Sequence, residues 1–258
     1  MCDLGMMSRG QIWAGLLAMS LLPYGLAAQQ ESQKEAKNRL IAELAAKLEP
    51  VPPRKPNASR EQMQLRSGFR VDLVAAEPDV RDPVAVDFDA VGRMYVVELP
   101  QYNAYAVKAP VPKGSVRRLA DTDGDGTYDQ SVVFADGLEY PTAVACWDGG
   151  VFVGAAPDLL YLKDTNRDGH ADVRKVVLTG FGRDKAGEAH LNSLRWGLDN
   201  RFHLSTSLAG GEVRATTPGA SAPVSVRGRG LIFDPRDPSQ FELTSGGGQH
   251  GMSMDDWG

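Results

Sequence analysis

One recurring pattern constrains this chain's fold more than any other feature. Pro83-Val-Ala-Val-Asp-Phe88, a turn at Asp89–Gly92 and then Met94-Tyr95-Val96-Val97 make an apolar strand, an Asp/Gly turn and a second apolar strand. The same order returns at Pro141–Val153 around Asp148-Gly149-Gly150, and again at Asn192–Leu204 around Asp199-Asn200. Two apolar runs joined by so short a turn predict a β-hairpin. A fourth start stands at Gly251–Gly258 (GMSMDDWG), where the sequence stops.

The turn aspartates Asp89, Asp148, Asp199 and Asp255 are 59, 51 and 56 residues apart. That is near the period of roughly 40–50 residues of four-stranded propeller blades once loop insertions are allowed for. Further apolar runs complete each unit. They are Ser115–Leu119 with Ser131–Phe134, Leu159–Leu162 with Val173–Leu178, and Gly230–Phe233 with Phe241–Leu243. Four short strands per unit, A to D in chain order, predict an all-β chain. Its expected form is a partial β-propeller of about three blades plus the start of a fourth, over residues 68–258. A β-sandwich also uses short strands, but repetition of whole four-strand units favours the propeller. Phe69–Ala75 (FRVDLVA) is expected to form an additional strand at an unpaired edge.

The first thirty residues differ from the rest. Arg9 precedes an apolar run from Ile12 to Leu22, and small residues at Gly25, Ala27 and Ala28 lead into Gln29-Gln30. This predicts a signal peptide over residues 1–28, and hence a secreted or periplasmic protein. Residues 29–67 then read as a helical segment, with helix-forming composition from Glu31 to Leu48, and a stiff proline-rich linker at Val51–Pro56. The formal net charge of -5 offers no basic surface for nucleic acid. Once Cys2 leaves with the signal, Cys146 is the one cysteine, so no internal disulfide and no Cys-x-x-Cys-His haem attachment is expected here. In its apolar run, Cys146 reads as a small buried hydrophobe rather than a reactive thiol.

Two acidic loops carry the most ordered polar chemistry. Asp121, Asp123 and Asp125 alternate ahead of Gly126, with Asp129 beyond; Asp164, Asn166 and Asp168 repeat the arrangement ahead of Gly169, with Asp172 beyond. Side-chain oxygens at alternate positions before a tight glycine turn suit calcium, with Asp129 or Asp172 completing the shell. An EF-hand would place Glu at the twelfth position, where Val132 and Lys175 stand, and strands rather than helices flank both loops. The same residues also form metal-free turns. In the third unit Asp234-Pro-Arg-Asp237-Pro replaces the motif, and no metal is expected there.

Up-and-down topology puts both acidic loops, as C–D turns, at one end of the sheets. The opposite end takes the B–C loop with Tyr102, Asn103 and Tyr105 and the D–A connections bearing His190 and His250. That end is the expected pocket rim.

Four motifs occur in order: Gly68–Pro78 (GFRVDLVAAEP), Asp121–Gly126 (DTDGDG), Asn192–Asn200 (NSLRWGLDN) and Ser245–Gln249 (SGGGQ) with Asp255–Gly258 (DDWG). Together they resemble the N-terminal propeller of the "membrane-bound dehydrogenase" family of planctomycetes and verrucomicrobia, which is related to quinoprotein sugar dehydrogenases. The resemblance implies an oxidoreductase of a sugar or alcohol. It also implies pyrroloquinoline quinone as acceptor, with helical repeats and a cytochrome c domain following further blades. His190, ahead of Leu194–Asp199, looks like the histidine that removes the substrate's proton. No lysine–arginine cluster for the quinone's carboxylates can be assigned, and no haem site lies in this chain. The alternative is a non-catalytic propeller that binds carbohydrate or protein, with calcium loops as braces.

Overall fold

The computed structural model describes residues 31–49, 52–100, 113–183 and 189–257. The expected signal peptide and the loop with Tyr102, Asn103 and Tyr105 lie outside the described residues. The chain divides into two units at Lys55/Pro56. In the first, residues 31–47 are helical and exposed throughout. Among the described residues no helix is long and apolar enough to cross a membrane. The second unit begins with a short helix, Pro56–Glu61, which starts on the last residue of the proline-rich stretch expected to be linker. Pro56 ends nothing here. It stands first in a helix, where its missing N–H is no loss and its fixed φ is already helical.

Beyond this helix the second unit is built of β-strands, in three antiparallel sheets. Sheet 1 runs in the order β1 (Pro83–Phe88), β2 (Met94–Glu98), β3 (Lys113–Ala120) and β4 (Gln130–Glu139). Sheet 2 contains β5 (Pro141–Trp147), β6 (Gly150–Ala155), β7 (Asp158–Lys163) and β8 (Val173–Phe181) in sequential order. Sheet 3 is built from β9 (Asn192–Trp196), β10 (Phe202–Ser205), β13 (Gly230–Asp234) and β14 (Asp237–Leu243). The three expected hairpins are therefore present as β1–β2, β5–β6 and β9–β10.

Two expectations differ from the structure. β11 (Gly211–Ala215) and β12 (Val224–Ser225), inserted between β10 and β13, leave sheet 3 and extend sheet 2 to six strands. β11 pairs with β8 through Gly211↔Phe181 and Arg214↔Thr179, and Val213 and Ala215 enter the core behind it. The hairpin thereby covers an edge of sheet 2 that would otherwise be open. Phe69–Ala75 forms no strand. Its alternating residues meet sheet 1 only in places, through Tyr128 N–H to Val74 O and the packing of Ala75 against Met94, Val96 and Leu119. A strand needs a continuous ladder of partners, and isolated contacts do not supply one.

Alternation along the strands sorts the side chains into layers. Val151, Val153 and Ala155 of β6 face sheet 1 with Tyr95, Val97, Val116 and Phe134. Phe152, one residue out of step, faces sheet 3, where it meets Phe202 and Phe233 at ring-centroid distances of 5.6 and 5.2 Å. Covered on both faces, β6 is buried at all six positions, which explains its continuous apolar sequence. Truncating a ring in such a layer costs about 3–5 kcal/mol. Gly154 lies where sheet 3 approaches closely: a Cβ there would stand 2.7 Å from Leu191 Cδ1.

The first strands of the sheets, β1, β5 and β9, lie side by side. Asp87 Oδ2 accepts Cys146 N–H at 2.7 Å, Thr142 Oγ1 donates to Leu191 O at 2.5 Å, and Trp147 stacks on Trp196 at 5.1 Å. Cys146 is partly buried, and burial, with Asp87 and Asp89 nearby, pushes its thiol far above the ordinary range. It stays protonated, as an inert thiol in an apolar run should.

Candidate functional site

Where the N-terminal ends of β1, β5 and β9 converge, they enclose a half-open cleft of about 530 Å³. Val84–Val86, Leu99 and Thr142–Val144 form its apolar wall, and His190, Asn192, Arg195 and His250 supply polar groups. An apolar cleft with a few convergent polar groups is the usual form of a small-molecule site.

His190 is buried, at 2% exposure, rather than sitting on an open rim. Its ring meets Tyr140 edge-on at 4.2 Å, and Nε2 lies 2.9 Å from Arg183 O. A carbonyl only accepts, so Nε2 carries the proton in the neutral ring and Nδ1 is the basic nitrogen. Arg183 in turn donates to Glu139 at 2.5 Å.

A network of backbone carbonyls holds the rest of the site. The side-chain amide of Asn192 donates to His190 O and Gln249 O and accepts Gly251 N–H at 3.0 Å. Ser207 Oγ donates to Gln249 O at 2.7 Å, and Ser205 Oγ donates to Gly248 O. The glycine-rich segment is thus tied to β9 and β10 on both sides of His250. The roles of Asn192, Tyr140, Ser205 and Ser207 were missed in the sequence. The one local signal was a run of small hydroxyls, Ser205-Thr206-Ser207, directly after an apolar strand, where buried carbonyls need donors.

The acidic loops lie at the other end of the sheets, beside the β1–β2 and β5–β6 turns; Tyr128 Oη donates to Gly92 O there at 3.0 Å. In the first loop the carboxylates of Asp121, Asp123 and Asp125 converge, with ligand atoms within 4.8 Å of one another. Asp121 accepts Gly126 N–H and Gly124 N–H at 2.9 and 2.7 Å, and these bonds, the first foremost, hold its carboxyl below the usual range. Asp129 stands outside the trio and closes the base of the loop on the hydroxyl and N–H of Thr122, which lower its pKa too.

The second loop repeats this frame. Asp164 accepts Arg167 N–H and Gly169 N–H, and Asp172 closes the base on Thr165. Asn166 donates its amide to Asp168 at 3.0 Å, and Arg118 of β3 reaches Asp164 at 3.3 Å. The sequence-predicted residues therefore fall into two groups at opposite ends: His190 in the cleft, and the eight loop residues away from it.

With cleft and loops in view, relatives can be compared. Residues 55–258 match the model of a domain of unknown function, DUF7133, and the chain belongs to that family. No curated protein sequence matches it. Among solved structures it is similar to the holo form of the pyranose dehydrogenase PQQ domain from Coprinopsis cinerea (14% identity, TM-score 0.46, 67% of this chain and 48% of that one). It is also similar to the calcium structure of a Trichoderma reesei carbohydrate-active enzyme of family AA12 (18% identity, TM-score 0.39, 58% and 39%). The iodide structure of the Trichoderma reesei enzyme matches as well (18% identity, TM-score 0.40, 62% and 46%). The chain spans less than half the length of each.

Proposed function

We propose that this chain is part of an exported β-propeller of the quinoprotein-dehydrogenase class, whose three sheets are blades and whose cleft accepts a sugar or alcohol. One observation carries the reading: His190 lines the cleft beside Asn192 and His250, with its ring held by Arg183 O and Tyr140. In that state the imidazole can take the proton of a substrate hydroxyl. Tyr140 and the Arg183 carbonyl hold the ring in place, and the apolar wall of β1 and β5 keeps bulk water away from it. The resemblance to the membrane-bound dehydrogenase propellers, with their signal peptide and cytochrome partner, supports the same class.

Oxidation of the hydroxyl carbon also needs a hydride acceptor, which pyrroloquinoline quinone supplies when bound in that class. Among the described residues the cleft lining does not by itself hold this group. Its three carboxylates call for several cations, and among the described residues Arg195 is the one lysine or arginine in the lining. Calcium is a separate proposal, for which the first loop's three converging carboxylates speak.

The test is dye-coupled oxidation of a sugar and alcohol panel by the whole protein with added quinone and calcium, in parallel with calorimetric sugar binding. His190→Gln is expected to lower turnover by about 10²–10⁴-fold while sugar still binds. Wild-type turnover in the variant would remove His190 as the base. Specific sugar binding without turnover in the wild type would leave a binding propeller.

A further inference from the structure

The end of the sheets away from the cleft holds a second cavity of about 500 Å³, between the face of sheet 1 and the turns of sheet 2. Its chemistry is unlike that of the cleft. Arg93, Arg118, Lys163 and Arg167 line it, with Asp148 and Asp164 as the acidic members and Tyr95 among the lining.

Strand periodicity explains the assembly. Tyr95 pairs with Arg118 across β2 and β3, so the two side chains share a face; Arg93, two residues before Tyr95, lies on it too. Further up this face Val97 and Val116 continue into the core against sheet 2. The cations therefore ring the lower margin of an apolar interface.

The acidic neighbours are already engaged. Asp89 holds Arg93 Nε at 2.6 Å, and Asp164 takes Gly169 N–H, Arg167 N–H and Arg118. Asp148 holds Lys163 at 3.1 Å, but its side chain is 74% exposed, so that pair exchanges partners at little cost. Four cations face three carboxylates, and the charge left over is that of Arg167, whose side chain is exposed at the mouth. Tyr95, 2% exposed as a whole residue, presents its ring edge to this cavity as part of its lining.

We propose that this cavity binds a tetrahedral oxyanion, a phosphate or sulfate group, on Arg93, Arg118, Lys163 and Arg167, with the Tyr95 hydroxyl donating from the floor. Guanidinium forks match such oxygens with paired N–H donors, and the phenol supplies a neutral one. The site is independent of the sugar cleft and of its chemistry, since the two share no residue.

The experiment is calorimetric titration and thermal unfolding of the full chain with sodium phosphate and sodium sulfate, sodium chloride being the ionic-strength control. A saturable rise in Tm with phosphate or sulfate, and none with chloride, is expected. Tyr95→Phe should weaken binding several-fold, and Arg93→Gln with Arg167→Gln should weaken it at least tenfold. An unchanged Tm of Tyr95→Phe without anion separates lost binding from lost folding. A sugar phosphate in a third arm distinguishes the source: binding at least tenfold tighter than inorganic phosphate identifies an ester, and equal binding a free anion. No saturable effect in the wild type, or equal binding by the variants, would overturn the proposal.

Discussion

The two acidic loops are built on one template and set in different surroundings. Each opens on an aspartate that caps two backbone N–H groups, and each closes through an Asp–Thr pair seven residues apart. The first loop is anchored only at its base, through Tyr128 to Gly92 O and Val74 O, and among the described residues its three carboxylates converge without a protein cation. The second loop is docked on sheet 1. Ala171 N–H donates to Phe134 O, His170 Nδ1 lies 2.7 Å from Val133 O, and Arg118 meets Asp164. Local sequence thus specifies the turn, while the neighbouring strand decides whether its carboxylates meet an arginine.

The largest expected effect separates the loops through Arg118. Arg118→Ala leaves the Asp164 side chain, 7% exposed, without its ion pair, and should cost about 3 kcal/mol by urea unfolding. Asp123→Ala in the first loop should change stability by less than about 0.5 kcal/mol without calcium. Equal losses would break the comparison.

Calcium sharpens it next. If the first loop binds the ion, thirtyfold excess over Kd stabilises by about 2 kcal/mol. Asp121→Asn with Asp123→Asn should abolish that rise in Tm, and Asp168→Asn should leave it intact.

Glycine substitutions come third. Gly124 and Gly169 both have positive φ, +79° and +98°, so alanine costs about 1 kcal/mol at either. At Gly169 the added Cβ would also stand 3.0 Å from the Arg118 guanidinium, whereas Gly124 has open space. Gly169→Ala should therefore be the more destabilising, read as the difference in denaturation midpoint.

The smallest effect is shared by the loops. Asp129 and Asp172 have lowered pKa values, chiefly through the hydroxyls of Thr122 and Thr165. A lowered folded-state pKa contributes stability above the unfolded value of about 3.9, and that contribution is lost as pH falls through the folded value. Thr122→Val and Thr165→Val should each flatten the acid limb of stability against pH, by similar amounts. A response from one loop alone would show that docking reaches the closing pair as well.

Much of the fold was legible because its signals are local. Asp148 and Asn200 adopt positive φ, at 46° and 57°, in the turns where short polar residues suggested hairpins, and the apolar strands on either side pair as expected. The candidate site was half legible. His190 and His250 were placed at one end by strand counting alone, and the structure sets both on the cleft. The burial of His190, its Tyr140 and Arg183 contacts and the Asn192 network were not legible, because each joins residues from separate elements.

The sequence by itself determined the repeated hairpins, the turn chemistry of both acidic loops and the end of the sheets to which each candidate residue belongs. Alternation and turn propensity act over a few residues and need no partner from elsewhere. Only the tertiary structure decided that β11 and β12 complete sheet 2, that Phe69–Ala75 stays out of a ladder, and that Arg118 reaches the second acidic loop but not the first. Strand pairing and ion pairing depend on which surfaces meet, and residues far apart in the chain become neighbours only when burial of the shared apolar layers brings the sheets together.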